Sequence, residues 1–170
     1  MRLARDEGFE TGVLAHDHAR WLADAATADA AWTAEEMRRA CERYADVFKE
    51  APLVHGAAGW QASVHALRLT QRLGFDYASD GRGTHPHLPY WNAEPIRCPQ
   101  FPTTLPTLDE LIGRDGVEAG NVADRVLALT EAPSPAGHVF TLHAELEGLR
   151  LAPVLEQLVA GWKAQGWAPS

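Results

Sequence analysis

The sequence predicts an α/β protein with mainly parallel strands. Three observations carry that expectation: short apolar runs alternate with stretches of helical period, several of those stretches open on capping residues, and glycine or proline marks most junctions. Strands separated by helices pair in parallel through right-handed crossovers. With 170 residues, 46% of them hydrophobic, the chain can bury a real core but is short for two, so residues 1–170 are expected to form one domain.

The elements follow in order along the chain. Thr11 to His16 reads as a first short strand. Thr33-Ala34-Glu35-Glu36 has the form of a capping box, opening a helix that sets Met37, Cys41, Tyr44 and Phe48 on one face. Pro52 ends that helix and Leu53 to His55 supplies a second strand. Trp60, Val64, Leu67 and Leu73 stripe a second helix that Gly74 can close. Phe75 to Asp80 alternates as a strand, and Gly81 to Pro106 is a long loop rich in glycine, proline and aromatic residues, of a length that is usually functional. Thr107-Leu108-Asp109-Glu110 is another capping box and Asn121 to Asp124 another helix start. The apolar, β-branched run His138 to Leu142 reads as a short buried strand. A last amphipathic helix begins at Ala152-Pro153, with Val154, Leu155, Leu158, Val159 and Trp162 facing inward.

Composition narrows the classes of function. The net charge is -8 and the basic residues are scattered, which argues against a nucleic-acid partner. Cys41 and Cys98 form neither a disulfide framework nor a zinc pattern, so a reducing, cytoplasmic setting is expected. No apolar run approaches the length of a membrane span, and Met1 to Glu7 lacks the apolar core of a signal peptide.

Three of the predicted strands end in polar residues that a parallel sheet would gather at one edge, where α/β proteins keep their chemistry. These ends are His16-Asp17-His18, Asp80-Gly81-Arg82 and His143-Ala144-Glu145. Histidines two apart on an extended segment point the same way, so His16 and His18 could share a metal with a carboxylate, although a surface pair is the commoner reading. Asp80 and Arg82 also read as an ordinary turn, and Trp60 as a core or helix-start residue. His85-Pro86-His87 reads as a solvated loop feature.

Four segments occur in one order: Gly12-Val13-Leu14-Ala15-His16-Asp17-His18, Ala57-Ala58-Gly59-Trp60, Ser79-Asp80-Gly81-Arg82-Gly83, and Thr141-Leu142-His143-Ala144-Glu145-Leu146-Glu147-Gly148. On these residues the chain resembles the polysaccharide deacetylase (NodB-homology) superfamily, and within it the lipid-linked formamido-arabinose deformylases, a likeness that includes Thr104 to Asp115. The resemblance implies a distorted (β/α) barrel that holds one divalent metal, Zn, Mn or Co, on an Asp and two His, with a second Asp as general base. It implies hydrolysis of an amide on a sugar, releasing a formyl or acetyl group, with an undecaprenyl-linked substrate at the inner face of the membrane. By the same resemblance two residues are catalytic, His143 as the acid that protonates the leaving amine and Asp80 as the charged residue of the neighbouring strand end. His18 is a metal ligand, and Trp60, Arg82 and Glu145 line the substrate groove.

The departures from the family's pattern generate expectations of their own. The family's metal pair is spaced His-x-x-x-His; with its second member on His18, the first falls on Leu14, leaving His16 as the substitute ligand. Gln61 stands where an arginine would steady the base. The family's amino-terminal segment with its paired Asp residues is not in this chain, so the barrel is expected to be incomplete and to leave a sheet edge through which chains can associate. The alternative to a hydrolase is an inactive relative that binds a sugar or a partner protein.

Overall fold

The parallel pairing expected from alternating strands and helices is present. A computed structural model describes residues 2–168 and divides into two compact units, Met1–Pro102 and Thr103–Ser170.

In the first unit, α1 (Arg2–Asp6) ties back through the Arg2 guanidinium, which donates to the Val47 carbonyl at 2.9 Å. Next comes α2 (His18–Asp24), capped by Asp17, whose carboxylate accepts from the Arg20 amide at 3.0 Å. The long helix α3 (Ala30–Phe48) starts earlier than the Thr33 box suggests. Asp29 is its cap, accepting from the Trp32 amide, and Thr33 lies inside the helix with its hydroxyl donating to the Asp29 carbonyl. Met37 and Tyr44 are buried as expected, whereas Cys41 and Phe48 are half-buried. Glu36, also buried, receives Arg20 from α2 at 3.3 Å and Arg39 from its own helix at 3.4 Å, fastening α2 to α3.

Strand β1 (Val54–Gly56) leads into a single 3-10 turn (Ala58–Trp60) and then α4 (Val64–Leu73), closed by Gly74 in the left-handed conformation. Trp60 therefore precedes the helix, and the face that α4 buries is Ala66 and Thr70; Leu73 is exposed. Strand β2 (Tyr77–Ser79) pairs in parallel with β1, His55 opposite Ala78. The run 11–16 contributes one parallel bridge, Val13 to His55, in place of a full strand. Gln100 bridges Ala78 in parallel on the other side and His87 in antiparallel beyond it. The sheet order is thus the Val13 segment, β1, β2, the Gln100 segment and His87. Within the expected long loop, β3 (Tyr90–Trp91) and β4 (Glu94–Pro95) form an antiparallel hairpin turned by Asn92 and Ala93, both at positive φ. Trp21, Met37, Tyr44, Phe75 and Ala78 belong to the core of this unit.

The second unit is helical. Helix α5 (Leu108–Leu111) opens on its expected capping box, in which Glu110 accepts from the Thr107 amide at 3.0 Å. Then follow α6 (Val122–Leu129), a π-turn (Leu146–Arg150) and α7 (Ala152–Ala164) with Pro153 in its first turn. Leu108, Val122, Val126, Val154 and Leu158 form the core. The run His138 to Leu142 is not a strand. Its neighbour, Thr103 to Leu105, lies between Pro102 and Pro106, which have no amide hydrogens to give a ladder. What remains is local: the Val139 carbonyl accepts from the amides of Thr104 and Leu105, and the Thr103 and Thr141 hydroxyls meet at 2.6 Å.

Candidate functional site

Asp80 follows β2 at its carboxyl end and is 3% exposed. Its Oδ1 lies 2.6 Å from His55 Nδ1, and its Oδ2 accepts from Gln100 Nε2 at 3.1 Å. The Asp80 amide in turn donates to Gln100 Oε1 at 3.0 Å. Three neighbouring parallel segments are therefore joined by a buried polar network, and the carboxylate has a partner on each oxygen. A donor at Nδ1 fixes the tautomer of His55 and leaves Nε2 as an acceptor, which is buried and has no hydrogen-bond partner. The ring is stacked on Phe75, with centroids 5.7 Å apart, and meets the Trp21 edge. Burial pushes the nearby Cys98 thiol above its usual range, with Thr70 opposing and Asp80 adding to the shift, so this cysteine stays protonated near neutral pH.

Trp60 and Arg82, from separate segments of the sequence, come together: the Arg82 guanidinium sits over the indole, 4.4 Å from its centroid. The backbone presents Trp60 in an unusual way, since Gly59 and Trp60 have φ of 57° and 56°. The positive φ at 59 favours glycine, and a side chain there would also have to displace the exposed Leu22 Cδ2, 2.2 Å away. Gln61, beside it, uses its carbonyl to accept from the Trp21 indole at 2.8 Å.

His16 and His18 are both exposed, and the extended geometry expected of them is not found. The chain bends at His16 and Asp17, and His18 is the first residue of α2, so the two-residue period of a strand does not apply. Asp17, the adjacent carboxylate, is used as the helix cap, and Leu14 is exposed with no ligating atom. Among the described residues no group of three or more His, Cys, Asp or Glu side chains is arranged to hold a metal ion. The donor set present does not fit the one the resemblance implies.

His143 and Glu145 belong to the second unit. Because 138–142 is not a strand, His143 stands ahead of the π-turn and not at a sheet edge. Its carbonyl accepts from the amides of Leu146 and Glu147, and its own amide donates to Glu147 Oε2 at 2.7 Å. The side chain is 38% exposed, with Nδ1 buried 3.7 Å from Asp109 Oδ1. Glu145 is exposed at the start of the turn, whereas Glu147 is fully buried. His55, Gln100, Asp109 and Glu147 are thus the polar residues that reading for site residues overlooked. A histidine inside a short apolar run carries no local mark of a buried partner; Glu147, four residues after His143, had the spacing of a local backbone contact.

No protein-family model matches the chain. The probable 4-deoxy-4-formamido-L-arabinose-phosphoundecaprenol deformylase of Shewanella sediminis is 32% identical over 160 residues, covering 94% of this chain and 50% of that protein. The protein of the same name from Wigglesworthia glossinidia brevipalpis is 33% identical over 103 residues, covering 59% of this chain and 35% of that protein. Among solved structures, a chain described as a polysaccharide deacetylase from Mycobacterium smegmatis superposes with a TM-score of 0.70 at 19% identity, covering 94% of this chain and 58% of that one. The chain spans half the length of the Shewanella relative and about a third of the Wigglesworthia one. No helix among the described residues is long and apolar enough to cross a membrane. Sequence likeness to curated deformylases over 94% of the chain and an α/β fold shared with a polysaccharide deacetylase agree in supporting the NodB-type polysaccharide deacetylase family for this chain.

Proposed function

We propose that this chain acts in the deacylation of an amide-bearing sugar. Water adds to the carbonyl carbon and gives up its proton to solvent, the C–N bond breaks, and a proton from the His143 ring passes to the departing nitrogen, releasing formate or acetate and a free amine, after which solvent returns a proton to His143. The observation that carries the reading is the 32% identity to a curated deformylase over 94% of this chain. The accessible imidazole of His143 supports it, since a general acid must reach its substrate. Within the first unit the Trp60–Arg82 pair offers an apolar face and a cation to a sugar, and within the second unit Glu145, two residues after His143, offers a polar contact of its own. A divalent metal, Zn, Mn or Co, would polarise the carbonyl in such a hydrolase. The described residues do not build its site, and no step here passes through it. The finer substrate we propose is the polyprenyl-linked sugar, met at the inner face of the membrane.

The test is release of formate or acetate from N-formyl and N-acetyl aminosugars, free and polyprenyl-linked, with each metal supplied and metal content measured. Turnover that falls about 100-fold in His143→Ala is the expected result. A second reading, a sugar-binding relative without turnover, is favoured by one observation: Leu14 offers no ligand at the family's first histidine position. In that case no amide is cleaved under any metal, a sugar still binds in calorimetry, and His143→Ala leaves its affinity unchanged.

A further inference from the structure

The second unit holds an open cleft of about 850 Å³, walled by α5, the loop 113–121 and α6. Leu111 and Val117 give it an apolar side, and Arg114 and Arg125 bring two guanidinium groups to it from separate segments. Among the described residues neither guanidinium has a hydrogen bond or an ion pair, although the carboxylates of Glu110, Asp115 and Asp124 line the same cleft. Surface arginines elsewhere in the chain do find a carboxylate, as Arg38 finds Glu35 at 2.7 Å. Both cleft arginines are carried on anchored backbone. The Arg114 carbonyl accepts from the Val117 amide and the Val117 carbonyl from the Gly113 amide, each at 2.8 Å, and Asn121 Oδ1 accepts from the Glu118 amide at 2.8 Å. Arg125 is carried by α6, next to the fully buried Val126.

We infer that this cleft binds a glycosyl phosphate, its phosphate on Arg114 and Arg125 and its sugar hydroxyls donating to Asp115 and Asp124. Guanidinium groups grip phosphate through paired N–H donors, and two that arrive from separate segments can hold it from two sides. A bare anion would gain those contacts but would also be repelled by the neighbouring carboxylates. A sugar changes the sign of that second contact, because its hydroxyls are donors that a carboxylate accepts. The Leu111 and Val117 side suits the apolar face of a sugar ring, while Glu110 is already engaged on the Thr107 amide. Helix α5 supplies one wall of the cleft and also carries Asp109, whose carboxylate lies 3.7 Å from His143 Nδ1. That the bound sugar is the one hydrolysed rests on the deacylase reading above; the binding itself does not.

Calorimetry on the full chain tests this with three probes: N-acetylglucosamine carrying an anomeric phosphate, N-acetylglucosamine itself, and inorganic phosphate. The sugar phosphate is expected to bind at least about 10-fold more tightly than either of the others. Arg114→Gln and Arg125→Gln are each expected to weaken it about 10-fold, and Arg150→Gln, outside the cleft, to leave it unchanged. Asp124→Asn is expected to weaken the sugar phosphate and strengthen inorganic phosphate, opposite signs that separate a hydroxyl contact from a charge effect. All four side chains are exposed, so folding should survive, and circular dichroism checks this. A sugar phosphate held no more tightly than the neutral sugar or inorganic phosphate, or held equally well by both arginine variants, overturns the inference, and release of formate from neutral N-formyl aminosugars would then leave the deacylase reading standing. Arginine-dependent binding with no amide cleaved under any metal would instead remove the deacylase reading and uphold the cleft.

Discussion

The Asp80 carboxylate has a partner on each oxygen, which limits what it can do as a proton carrier and makes it a structural tie between β1, β2 and the Gln100 segment. Asp80→Ala would strand a buried imidazole and a buried amide at once, so a loss of about 3 kcal/mol is expected in urea unfolding. A loss below about 1 kcal/mol would show that the network adds little. Asp80, Arg82, Trp60 and His143 were singled out in the sequence because short motifs surround them. Gln100 was not: it lies at the far end of a long glycine- and proline-rich loop, and only the pairing of that loop with β2 brings it to Asp80. The described residues gather no metal-ligand group around His16 and His18, and the carboxylate between them is used to cap α2.

Among the elements, the Val13 segment joins β1 through two hydrogen bonds, Val13 amide to Val54 carbonyl at 3.0 Å and Gly56 amide to Val13 carbonyl at 2.9 Å. The approach depends on Gly12, where a Cβ would meet the Val54 carbonyl oxygen at 2.7 Å. That neighbour is backbone in a paired strand and cannot step aside, so Gly12→Ala should break the pairing. Faster hydrogen exchange at the Gly56 amide, with α6 and α7 amides unchanged, is the expected signature; unchanged exchange at Gly56 would count against it. Most helices could be read from period and caps, and the closing Gly74 and the opening Pro153 were found where expected. The start of α3 was misplaced because Thr33 and Glu36 imitate a cap while Asp29 supplies the real one. His138 to Leu142 has the composition of a strand, but its neighbour lies between two prolines; composition reports what a segment could do, and pairing needs donors on both sides.

For the whole molecule, the sequence carried the α/β class and the parallel pairing, and comparison with relatives supports the family. The Val13 segment lies at the end of the sheet order, with no described strand on its outer side. An open edge of this kind is a template for a second chain. Self-association that rises with concentration is therefore expected in sedimentation velocity, and a monomer at every concentration would remove the idea. The sheet order bears on how the first unit folds as well as on what it binds. Each parallel rung, from Val13 to His55, from His55 to Ala78 and from Ala78 to Gln100, joins residues with a helix or a long loop between them. Little of the sheet can be assembled from neighbours in sequence, so loop closure must come before any reward. Refolding of this unit should be slower than that of a helical protein of equal size, and a protein still emerging from the ribosome could not complete the Asp80 network until Gln100 had been made.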